Sequence, residues 1–103
     1  MEQYFTYREL KMMNGETLNH TLAFIRLNQV KAKHPEMFKR YCDIRNANEV
    51  TELDYCTLLY IAYLCANLDE EKVLSEEEYL NILPSNRKTI IGMAVEMTYP
   101  SKN

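Results

Sequence analysis

The chain has 103 residues, 47% of them hydrophobic, with 12 Lys and Arg against 15 Asp and Glu for a net charge of -3. That balance excludes a solvated coil, and the length suits one domain built around one core. With only 2 Gly and 3 Pro there is little material for the many turns of an all-β domain, so composition leans towards helices.

In chain order, Thr6 and Glu9 have capping-box spacing and Asn14-Gly15 is a helix stop, which predicts a short helix from Tyr7 to Met13. The competing reading is a hairpin turning at Asn14-Gly15; the helix is preferred because neither flank alternates cleanly. Thr17 can cap a helix running to about Lys33, with Leu18, Leu22, Ile25 and Ala32 on one stripe and Ala23, Leu27 and Val30 on another. His34-Pro35 ends it, and Pro35 suits the first turn of the next helix, whose stripe is Met37, Phe38, Tyr41 and Ile44. Thr51 and Asp54 open an apolar helix over about 52–68 that lacks a charged face and must be covered on every side, by its own domain or by another chain. Ala62 and Ala66 on it would let a neighbouring helix approach closely. Ser75 and Glu78 form a full capping box for a helix that turns Tyr79, Leu80, Ile82 and Leu83 inward and stops before Pro84. A last helix, capped by Ser85 or Asn86, runs to about Thr98 with Ile90, Met93, Ala94 and Met97 on one face, and Tyr99-Pro100 ends it. The fold expected is all-α: a compact bundle of four or five short helices forming a single domain over 1–103, with the apolar helix at its centre.

Little in this sequence points to catalysis. His20 and His34 read as partly exposed helix residues without a metal partner, and Cys42, Cys56 and Cys65 lack CxxC spacing and read as reduced thiols of a cytoplasm. The carboxylates from Asp69 to Glu78 read as a solvated, helix-capping loop, since the alternating ligands and central Gly of a calcium loop are missing. No phosphate-binding Gly motif occurs; no enzyme activity, metal or cofactor is expected. The longest uncharged stretch, Tyr55 to Leu68, has 14 residues, short of the ~20 that a membrane span needs. The N-terminus carries no pattern of a secretory signal. A basic segment from Arg26 to Arg45 could serve a small DNA-binding regulator, but the base-reading positions of its second helix would fall on Glu36 and Asp43 as well as Lys39 and Arg40, and the pI is about 5.4, so nucleic acid is not the expected partner.

Soft and amphipathic side chains are more informative. Met12, Met13, Met37, Met93 and Met97, with Tyr55, Tyr60, Tyr63, Tyr79 and Tyr99, can repack against varied apolar partners. The residues expected to bind a partner or a second copy are Leu59, Tyr60, Tyr63, Leu64, Met93 and Met97. The net charges, +2 over residues 1–50 and -5 over 51–103, would suit head-to-tail contacts between copies.

TELDYCTLLYIAYLCANLDEE, LSEEEYLNILPSN and a closing apolar helix ending in YPSKN resemble the tail assembly chaperones of long-tailed phages of Gram-positive bacteria. The likeness covers roughly residues 51–103; residues 1–50 match poorly, and many relatives begin with a short strand pair. What the resemblance implies is a non-enzymatic protein that binds the hydrophobic tape measure protein in several copies. It would keep that client soluble until the tail tube polymerises, in the cytoplasm of the infected host, and be absent from the mature virion. A structural tail or connector subunit is a further alternative.

Overall fold

The computed structural model describes residues 7–98. A hairpin of β1 (Arg8–Lys11) and β2 (Thr17–His20) precedes five helices: α1 (Phe24–Lys33), α2 (Pro35–Asn46), α3 (Glu52–Ala66), α4 (Glu76–Ile82) and α5 (Arg87–Thr98). The mostly helical bundle expected from composition is present, and the radius of gyration of 13.0 Å is that of a chain this long when packed.

The N-terminal expectation is corrected. Residues 8–11 pair antiparallel with residues 17–20, Arg8 opposite His20 and Leu10 opposite Leu18, so Tyr7 to Met13 is not a helix and Thr17 caps none. The expected cap Thr6 lies outside the described residues, as do Tyr99 and Pro100. The turn is a three-residue loop, Met13-Asn14-Gly15. Gly15 N–H donates to Met12 C=O at 3.0 Å, Met12 N–H donates to Glu16 C=O at 2.7 Å, and Gly15 takes φ +90°, the left-handed conformation that favours glycine. Alternation was present but hidden, because two inward positions are polar. Arg8 reaches Glu96 at 2.7 Å, and His20 is wholly buried in β2, not a partly exposed helix residue.

Helix α1 therefore starts at Phe24, six residues later than a Thr17 cap implied. It has one buried face, Leu27 and Val30; Ile25 and Ala32 face solvent, so the expected second stripe is not covered. Pro35 sits in the first turn of α2, and Met37, Phe38, Tyr41 and Ile44 turn inward as expected. Both predicted capping boxes are complete, Thr51 with Asp54 and Ser75 with Glu78. Asn86 Oδ1 accepts from Thr89 N–H at 3.1 Å at the head of α5.

Helix α3 is the axis of the molecule, buried without a break from Thr57 to Cys65. Leu59, Tyr60, Tyr63 and Leu64 meet Met12, Tyr79, Leu83, Ile90, Ala94 and Met97 on one side. Ile61 and Cys65 meet Leu27, Val30 and Leu68 on the other. Extended backbone also comes close to α3 here: Thr21 N–H donates to Ala62 C=O at 3.1 Å.

Candidate functional site

The six residues expected to meet a partner are brought together, but inside the chain. Leu59, Tyr60, Tyr63, Leu64 and Met97 are buried, and Met93 is half-buried against the same cluster. The physical reason is that α5, α4, β2, α1 and α2 between them cover α3, so its lack of a charged face is met within one copy. The tyrosines are fixed by both ring and hydroxyl. Tyr60, Tyr63 and Tyr79 stack with centroids 5.3 to 6.0 Å apart. Tyr60 hydroxyl donates to Leu74 C=O at 2.8 Å, and Tyr63 hydroxyl accepts from Leu74 N–H at 2.9 Å, which ties the acidic link between α3 and α4 to the core.

Tyr79 completes this group through His20. His20 Nδ1 lies 3.0 Å from Leu18 C=O and must donate to it, which leaves Nε2 to accept from Tyr79 hydroxyl at 2.6 Å. Burial disfavours the imidazolium and lowers the His20 pKa to about 4, while burial raises that of Tyr79. The same desolvation pushes the Cys65 thiol up to about 12, the state of an inert core thiol. Among the described residues no three His, Cys, Asp or Glu side chains gather where they could hold a metal ion. No described helix is long and apolar enough to cross a membrane.

The basic segment is largely engaged within the chain. Arg40 grips Glu76 with both nitrogens, at 2.8 and 2.9 Å, and also donates to Thr57 Oγ1 at 3.0 Å. Arg26 binds Tyr7 hydroxyl at 2.8 Å and lies 3.5 Å from Asp69. Lys33 donates to Leu68 C=O at 2.7 Å, and Lys39 faces Asp43 at 3.4 Å. The oppositely charged halves thus meet inside one molecule, which uses part of the complementarity that copies could have shared.

An apolar groove stays open at the surface. Leu53, Cys56, Leu80, Leu83, Pro84 and Ile90 line a groove of about 320 Å³ between the start of α3, the end of α4 and the start of α5. At its mouth Leu53 is 74% and Leu80 39% exposed, and Glu52 and Arg87 form an exposed ion pair at 2.9 Å on its rim. Against expectation, Leu80 is not an inward residue: Tyr79 and Leu83 define the buried face of α4, and Leu80 follows Tyr79 by about 100° round the helix. A second, smaller hollow of about 240 Å³ on another face of the same helix start is lined by Ile44, Val50, Tyr55, Leu58 and Val95. Sequence reasoning missed the groove because it treated Leu53 and Leu80 as members of apolar runs; their phase within each helix was the available signal.

Comparison with family models, with curated proteins and with solved structures finds no match to this chain.

Proposed function

We propose that the chain is a non-enzymatic tail assembly chaperone that binds and solubilises the hydrophobic tape measure protein of a long-tailed phage before the tail tube polymerises. The observation that carries this reading is the groove with Leu53 and Leu80 at its mouth, an uncovered apolar strip on a molecule whose own core is closed. A helical client laying one apolar stripe into such a groove buries the surface that would otherwise drive its aggregation. The resemblance of residues 51–103 supports the same reading, and so does the N-terminal hairpin, an element many of that family's members carry. Binding in several copies in the host cytoplasm, and absence from the finished virion, follow from this role.

The DNA-binding alternative draws less support, since Arg26, Lys33, Lys39 and Arg40 are engaged within the chain. Co-expression with fragments of the tape measure protein of its own phage tests the proposal. The client should stay soluble and co-purify at high salt, and Leu53→Glu with Leu80→Glu should abolish capture while leaving the helical circular dichroism unchanged. Salt-sensitive retention on duplex DNA without client capture would favour the regulator; neither interaction would leave a tail or connector subunit.

A further inference from the structure

Along Glu9 and Lys11 the outer edge of β1 has no hydrogen-bond partner among the described residues, and that open stretch ends where Met13 N–H donates to Ile82 C=O at 2.7 Å. In an antiparallel ladder, alternate residue pairs exchange hydrogen bonds. Met12 N–H donates to Glu16 C=O, so Leu10 with Leu18 and Arg8 with His20 are the bonded pairs that follow it in register. The N–H and C=O groups of Glu9 and Lys11 therefore point away from β2, and no hydrogen bond within the described chain receives them. Beside that edge runs an open channel of about 530 Å³ between β1 and α5, lined by Leu10, Gly92 and Met93 among others. The Gly92 side of the channel is unobstructed: a Cβ added there would meet nothing within 4 Å.

We propose that β1 is the interface of a symmetric dimer, in which the β1 edges of two copies pair antiparallel about Leu10. The charges favour this occupant. A two-fold axis at Leu10 places Glu9 directly opposite Lys11 of the second copy, and Lys11 opposite its Glu9, so both cross-strand pairs are of opposite sign. These are also the two residues whose backbone groups point outward, so each charged pair coincides with a pair of new backbone hydrogen bonds. Charges on an edge strand ordinarily block pairing; here their alternation at two-residue spacing selects one register against others. On the opposite face of the strand the two half-buried Leu10 side chains become neighbours across the axis, above Met93. The β1 channel and the Leu53–Leu80 groove share no lining residue, and the proposal does not rest on the chaperone reading.

Charge reversal tests it. The chain as it stands should sediment as a dimer at low salt. Glu9→Lys and Lys11→Glu, each alone, should raise the dimer dissociation constant by roughly tenfold to a hundredfold, because each sets like charges opposite at both ends of the ladder. Both residues are exposed, so circular dichroism and melting temperature should stay close to the parent. The double exchange, Glu9→Lys with Lys11→Glu, restores opposite signs and should restore the dimer. A strict monomer at high protein concentration would overturn the proposal, as would a dimer that survives both single reversals or a double exchange that fails to rescue it.

Discussion

His20 carries a polar burden no neighbouring charge relieves, because the groups that face it are Leu18 C=O and the rings of Tyr63 and Tyr79. Its pKa is about 4 in the fold against 6.5 free, so the unfolded chain binds a proton between those values and the native chain does not. The contribution of neutral His20 is complete above pH 6.5 and is lost as pH falls towards 4. It is on the order of 3 kcal/mol across that window. Urea melts from pH 7 to pH 4 should show the loss, and His20→Gln should flatten that part of the profile. Glu78 acts lower: its backbone and hydroxyl bonds to Ser75 hold its pKa below the usual carboxylate value, so what it contributes is present above that value and lost only on further acidification.

Helix α4 is only seven residues long, too short to persist on propensity. Its position depends on the Ser75 cap, on Tyr79 inside the core, and on the Arg40 fork to Glu76 from α2. Glu76 is the main reason the Arg40 pKa is raised, but the pair is partly exposed and worth less than its geometry suggests. Ser75→Ala should cost about 1 kcal/mol, and Arg40→Ala about 1 kcal/mol, both read from denaturant midpoints. Because both act on one short element, the double variant should depart from additivity.

For the whole molecule, the closed core changes what a charge placed in α3 does. Tyr60→Glu and Leu64→Glu would bury an unpaired carboxylate among Tyr63, Tyr79 and Leu83, and so should unfold the chain instead of dissociating an oligomer. Loss of the helical circular dichroism signal, with aggregation, is the expected result. Leu53→Glu at the groove should instead leave the melting temperature within a degree or two. The contrast between those variants separates core from surface.

What the sequence determined by itself was everything governed by local pattern. The helices from Pro35 onward, both capping boxes, the Asn86 cap and the buried run through Thr57 to Cys65 are set by spacing, proline and side-chain capping within a few residues. The hairpin was open as an alternative at Asn14-Gly15, yet its inward Arg8 and His20 look polar until Glu96, Leu18 and Tyr79 are placed against them. Those partners lie up to 88 residues away along the chain, a separation no local period can encode. The same holds for the site: an apolar residue reads alike whether it is covered or bare. Only the packing of α5, α4 and the hairpin decided that Tyr60 and Leu64 are sealed in and that Leu53 and Leu80 are left bare.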